Sequence, residues 1–201
     1  DIKETVWGMG YDSRIGHSYL EAGLGFGGPC LEKDLRALIK IAESNSYEPE
    51  LLRAVLQRND RQVEEVISKL KHLSGYLLYK KIVAVFGLTF KAGTNDMRNS
   101  MALKVIDRLE KEGAVVQAHD PMVVPRGEEL GQHVTCYEDP YETVRHAEAL
   151  LILTEWPCFS QLDYLQIKGR MAFPRIVDAR NLLEPQTLRA QGFSYAGMGR
   201  L

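Results

Sequence analysis

The sequence predicts an α/β protein: a helical N-terminal region ending in one long helix, then a doubly wound, mostly parallel sheet. Two patterns carry this. Leu52, Val55, Leu56, Val63, Val66, Ile67, Leu70 and Leu73 recur at helical spacing, and predict a helix from about Pro49 to Leu73, about 37 Å long at 1.5 Å per residue. After Tyr79, short β-branched runs alternate with amphipathic segments of ~8–15 residues, the pattern of βαβ units that build a parallel sheet covered on both faces.

Taken in order, residues 1–29 are rich in glycine and carry helical signals too weak to assign. At Pro29 the texture changes. Leu31, Leu35, Leu38, Ile41 and Ala42 predict a helix from about Cys30 to Ser44, and proline suits its start, where no N–H donor is needed. The long helix follows SNSYEP; so long a stripe serves as core, bridges domains or packs on a partner copy. Then come a strand in KKIVAVFG, a helix in SMALKVIDRLEKEG closed by Gly113, and a strand in AVVQAHDP stopped by Pro121. DPYETVRHA reads as helical, EALLILTE as a strand, WP as a turn, FSQLDYLQIKG as helical, RIVDA as a strand, EPQTLRAQG as a short helix and FSYAG as a last strand. The chain thus divides into a helical region, 1–78, and an α/β domain, 79–201, with ligands expected at the carboxyl ends of the strands. Its first strand runs into GLTFKAGTNDMRNS, where two glycines lie six residues apart around Lys91. That is not the G-x-G-x-x-G dinucleotide fingerprint.

Composition narrows the function. The 201 residues are 45% hydrophobic and 26% charged with net charge −2, enough for a sizeable core, and no basic patch marks a nucleic-acid partner. No apolar run approaches the roughly 20 residues of a membrane span, and the start lacks a signal-peptide layout and an initiator Met. Cys30, Cys136 and Cys158 form no C-x-x-C pair, which fits free thiols in a reducing cytoplasm. The five histidines are scattered, so no metal site is expected. His119 and Asp120 read as the end of a strand.

One segment could carry chemistry: GFGGPCLEKD, residues 25–34. A thiol in the first turn of a helix lies where unpaired N–H groups and the macrodipole favour an anion, and Lys33 and Asp34 fall on its face. From these residues alone, two readings stay open: a reactive thiol, or a small cysteine beside a flexible loop.

The segment resembles the catalytic-cysteine motif of the nucleotide-sugar dehydrogenases, the UDP-glucose dehydrogenase family, usually GFGG-S-C-x-x-KD. Four further segments match in the family's order: DSRIGHSYLEAG, GLTFKAGTNDMRNS, HDP, and LTEWPCF followed by DARN. Pro29 replaces the usual Ser, and Glu32 stands where Pro is common. The resemblance implies a family with an NAD-binding Rossmann domain, a long central helix and a C-terminal, Rossmann-like nucleotide-sugar domain. This chain looks like the last two. By resemblance, the first would hold most of the NAD site, a catalytic lysine and a carboxylate for thioester hydrolysis, so the chain alone is expected to be inactive.

The implied reaction oxidises a sugar's primary alcohol to a carboxylate in two hydride transfers to NAD. Cys30 would add to the aldehyde and later carry a thioester, Asp34 would serve the hydrolytic water, and Lys33 would lie by the thiolate and cofactor. The resemblance implies substrate contacts from Tyr19, from the loop Glu21 to Gly27 with Gly25, Phe26 and Gly27, from Phe90 and Lys91 at base and phosphate, and from Arg180. Arg14 would reach the substrate of a neighbouring subunit, and Arg98, with Cys30 and Lys33, would touch NAD. The implied partners are a UDP-sugar and a second copy through the long helix, neither nucleic acid nor membrane. GDP-mannose and UDP-N-acetylmannosamine dehydrogenases share the Cys, Lys and Asp, and a non-catalytic nucleotide-sugar-binding dimerisation module or another thiol enzyme remain alternatives.

Overall fold

The computed structural model describes residues 1–124 and 130–200. Six parallel strands form one sheet: β1 (Ile82–Phe86), β2 (Val115–His119), β3 (Val134–Cys136), β4 (Ala149–Ile152), β5 (Arg175–Asp178) and β6 (Ser194–Gly197), in the order β3-β2-β1-β4-β5-β6. The winding reverses between β1 and β4, so the crevice at their carboxyl ends is where such a sheet takes ligands. The doubly wound α/β fold read from the sequence is therefore the fold of the protein.

Strand periodicity splits the core into two layers. Val83 and Val85 of β1 share one apolar cluster with two helices, α3 (Glu50–Ser74) and α4 (Met101–Lys111), through Val63, Val66, Ile67, Leu70, Val105 and Leu109. Ala84 and Phe86 point the other way, toward Phe159 and the helices α6 (Tyr164–Arg170) and α7 (Pro185–Ala190). Each fully buried side chain of this size contributes roughly 1.5–3 kcal/mol. Both faces are apolar, which is why the strands read as continuous β-branched runs rather than alternating ones.

The remaining helices are α1 (Ile2–Gly10), α2 (Leu31–Ser44) and α5 (Pro140–Thr143), with a 3-10 turn at Pro157–Gln161. Ser100, Asp139 and Asp163 cap α4, α5 and α6 by accepting from backbone N–H groups. Four details depart from the sequence reading. Helix α1 forms where no helix was assigned; Asp1 caps it, and the Ile2 N–H donates to Gly199 O across the molecule. Strand β3, three residues at the sheet edge, is too short to show a period. Helix α5 stops at Thr143 instead of continuing to Ala147, and His146 just beyond takes a left-handed φ of 61°. FSQLDYLQIKG begins as the 3-10 turn and becomes helical after the Asp163 cap.

Candidate active site

Two buried aspartates build the loops at the switch point. Asp120, just past β2, accepts from the Leu88 and Thr89 N–H groups (2.8 and 3.2 Å), the Thr89 hydroxyl (3.2 Å) and Trp156 Nε1 (3.1 Å) on one oxygen. Its other oxygen accepts from the Met122 N–H at 3.0 Å. It therefore does more than end a strand: it fixes the loop after β1, which carries Phe90 and Lys91. The sequence hid this, because HDP looks the same whether the acid faces water or folds back on a neighbouring loop. Asp178 does the same at β5, accepting from the Arg180 and Leu183 N–H groups (3.0 and 2.8 Å) and the Tyr195 hydroxyl (3.1 Å). Burial, and then the Asp178 charge, push the Tyr195 phenol up.

Residues 22–28 lie across these loops and are tied down from three elements. Asn59 of α3 grips Phe26 at both backbone groups, accepting from its N–H and donating to its carbonyl, each at 2.9 Å. Gln62 donates to Gly23 O at 2.6 Å, Asn181 to Ala22 O at 3.1 Å, and Arg180 Nη1 to Gly25 O at 3.3 Å. The Gly28 N–H donates to Asn99 O at 3.1 Å. Two glycines are demanded by this seat. Gly25 has φ +97° and a Cβ there would lie 2.4 Å from Asn59 Oδ1; at Gly28, φ +86°, it would lie 2.7 Å from a Phe90 ring carbon. These glycines thus let the loop pack closely on the protein's own groups.

Cys30 stands one residue outside α2, as its N-cap, with an exposed thiol and no capping hydrogen bond. The sequence placed it within the first turn; the first helical residue is Leu31. Lys33 and Asp34 follow on the exposed first turn and pair with each other at 3.5 Å. Arg98 forks onto Asp96, and that hydrogen bonding, then the Asp96 charge, raises the guanidinium's pKa against the opposing effect of burial. Its loop meets the cysteine segment through the hydrogen bond from the Gly28 N–H to Asn99 O. Lys91 Nζ sits 5.6 Å from the centre of the Phe90 ring.

A cleft of about 910 Å³ opens beside this group, lined by Tyr19, Glu21, Gly23, Arg180 and Asn181, with Trp7 and His17 on its outer wall. Tyr19 is 99% exposed and holds φ 62°. Arg180 lies at the cleft's inner edge, donating from Nε to Leu153 O at 2.8 Å with Glu155 3.2 Å away; burial lowers its pKa, and Glu155 and Asp178 oppose that. So Tyr19, Glu21 and Arg180 share one cleft, Arg180 also holds Gly25 O, and Gly28 packs against the Phe90 ring. Arg14 joins none of these and forks onto Asp12 at 2.6 and 3.0 Å. Lys33, Arg98 and Cys30 are each exposed to solvent.

Sequence reasoning missed Asn59, Gln62, Asn99 and Asn181. Asn59 had a signal: it falls between Leu56 and Val63 at spacings of three and four, a polar residue inside an apolar stripe. No group among the described residues is arranged to hold a metal ion, and no helix there is long and apolar enough to cross a membrane.

Comparison with known proteins agrees with this geometry. Residues 84–185 match the UDP-binding domain model of the UDP-glucose/GDP-mannose dehydrogenase family, and residues 1–61 match its central domain model. A UDP-glucose 6-dehydrogenase of Pseudomonas aeruginosa is 41% identical over the whole chain, which covers 46% of that protein. The structure of a UDP-glucose dehydrogenase from Pyrobaculum islandicum superposes with a TM-score of 0.84 at 33% identity, over 98% of this chain and 43% of that one. That of a UDP-D-ManNAc dehydrogenase from Pyrococcus horikoshii gives 0.82 at 27% identity, over 98% and 44%. The chain thus spans about half the length of the curated relatives it matches. With both halves matched by adjoining models of one family, the chain belongs to the UDP-glucose/GDP-mannose dehydrogenase family.

Proposed function

We propose that this chain supplies the thiol and the nucleotide-sugar site of an enzyme that oxidises UDP-glucose to UDP-glucuronate in a reducing cytoplasm. One observation carries the reading: the thiol-bearing loop lies over the switch point, with Gly28 against Phe90 and Gly25 O held by Arg180. A nucleotide-sugar in that crevice would meet Phe90 and Lys91 at base and phosphate, Arg180, Tyr19, Glu21 and the Gly25–Phe26–Gly27 segment along its length, and Cys30 at the sugar's reacting carbon.

The chemistry asks a thiol to work between two oxidations. NAD, when bound, accepts one hydride in each; Cys30, Lys33 and Arg98 would form its rim on this chain. Once the primary alcohol has become an aldehyde, the Cys30 thiolate adds to its carbon, and the carbonyl oxygen takes a proton. The resulting carbon bears both a hydroxyl and a hydrogen, so a second hydride can leave to NAD while the hydroxyl gives its proton to water, and a thioester remains. Water, oriented by Asp34, attacks that carbonyl; the carbon–sulfur bond breaks, the sulfur takes one proton of that water as the thiol, and the carboxylate leaves with the other proton released to solvent.

Support for UDP-glucose in particular comes from the relatives' own names and the matched UDP-binding domain model. The likeness to the UDP-D-ManNAc enzyme keeps that sugar as a second reading. A melting-temperature panel on this chain distinguishes them. UDP-glucose is expected to raise Tm in proportion to the logarithm of its concentration above Kd, GDP-mannose to do little, and NAD with UDP-glucose to yield no turnover from this chain alone. No shift with any nucleotide-sugar would sink the proposal, and a larger shift with UDP-N-acetylmannosamine would move it to the second reading.

A further inference from the structure

Glu32 is two residues from the thiol, where a carboxylate by its charge alone disfavours a thiolate. Yet the structure builds a seat for it. Its Oε2 accepts from Asn99 Nδ2 at 2.8 Å and from Lys104 Nζ at 3.2 Å, and its Oε1 accepts from Arg36 at 2.7 and 3.0 Å. These partners come from α2 itself, from α4 and from the loop before α4. Asn99 also takes the Gly28 N–H on its carbonyl and donates its amide to Gly28 O at 3.4 Å. Residues 28 and 32, which bracket Cys30, are therefore both fastened to Asn99, and Asn99 adjoins Arg98.

We infer that Glu32 is a positioning residue for the Cys30 thiol: through Asn99 it clasps the start of α2 to the loop that carries Arg98, and so holds the thiol-bearing segment and that loop in one fixed arrangement. The inference rests on the reading of Cys30 as the reacting thiol. Arg36 and Lys104 cancel the charge that Glu32 brings, so the clasp adds position without a net anion. Asn99 holds a left-handed φ of 54°, so Asn99→Gly removes its amide donor while keeping the backbone path open. The charged groups on the segments that meet at this clasp are Lys33, Asp34, Arg36 and Glu32 from α2, Asp96 and Arg98 from the loop, and Lys104 from α4.

The test is the rate at which iodoacetamide alkylates Cys30, followed by mass spectrometry of the peptide that contains it, across pH 6–9. Charge and position have opposite signs here. Glu32→Ala and Asn99→Gly both release the clasp and are expected to slow alkylation at neutral pH about three- to tenfold, shifting the pH profile upward. Glu32→Gln keeps an acceptor for Asn99 and loses the charge, so it should react as fast as the parent or faster. Equal rates in Glu32→Ala and Glu32→Gln, in either direction, would overturn the inference, as would an unchanged rate in Asn99→Gly. Adding UDP-glucose to the parent separates the two levels: if it gives no protection, the reading of the site fails, whatever the variants do without ligand.

Discussion

Asp120 illustrates how one side chain can hold a site it does not enter. Its buried oxygen collects four donors from two loops, so removing it leaves the Leu88 and Thr89 N–H groups and Trp156 Nε1 without an acceptor. An orphaned buried donor costs roughly 1–3 kcal/mol, and relaxation recovers part of the sum, so Asp120→Ala should lower stability by about 2–4 kcal/mol. Urea unfolding measures this, and the UDP-glucose shift in Tm should shrink with it, because Phe90 and Lys91 ride on the loosened loop. A loss below about 0.5 kcal/mol, the ordinary range of a surface substitution, would mean that the loop is held by something else. Asn59 works by the same logic from a helix, trading two side-chain hydrogen bonds for the fixed backbone of Phe26.

Between elements, the junction of α2 with the loop before α4 is electrostatic and therefore has a pH signature. The hydrogen bond from Arg36, then that from Asn99, hold the Glu32 carboxyl at about 2, against an ordinary value of 4.5, with Lys104 adding to them and burial opposing. A carboxylate depressed in the folded state contributes stability above its unfolded value and loses it as pH falls toward the folded one. The parent should thus hold an advantage over Glu32→Gln at pH 6 that shrinks between about pH 4.5 and 2; equal urea midpoints at pH 6 would show the seat to be idle. At this scale the sequence was most legible where apolar spacing decides structure: α2, α3, α4 and five of the six strands follow from it. It was least legible where polar side chains from distant segments meet, because Glu32 with Asn99, or Asp178 with Tyr195, leave no local pattern. The thiol itself was visible through its glycines and its helix, whereas its partner loop was visible only through likeness to a family.

For the molecule as a whole, α3 divides in two. Its C-terminal half buries Val63, Val66, Ile67 and Leu70 in the same cluster as β1, β5 and α4, so that part of the stripe is already used inside this chain. Its N-terminal half is different: Leu51 is 76% exposed and Val55 39%, and α2 next to it leaves Leu38 and Ile41 at 50% and 60%. If two copies pair through the apolar stripe of the long helix, as likeness to the family implies, they would use the first turns of α3 together with α2, because the apolar residues of the later turns are already packed in this chain's core. A seam there would also bring two Cys30 loops into one assembly. Sedimentation velocity should find a dimer, and Ile41→Glu with Leu51→Glu should turn it into a folded monomer with unchanged far-UV circular dichroism, since both positions are open to water in the single chain. Val66→Glu should instead unfold the protein, because it forces an unpaired charge into the core, a change that costs several kcal/mol. If the Ile41 and Leu51 substitutions leave the sedimentation unchanged, the exposed stripe is not the seam, and the outer ends of α2 and α3 serve another contact.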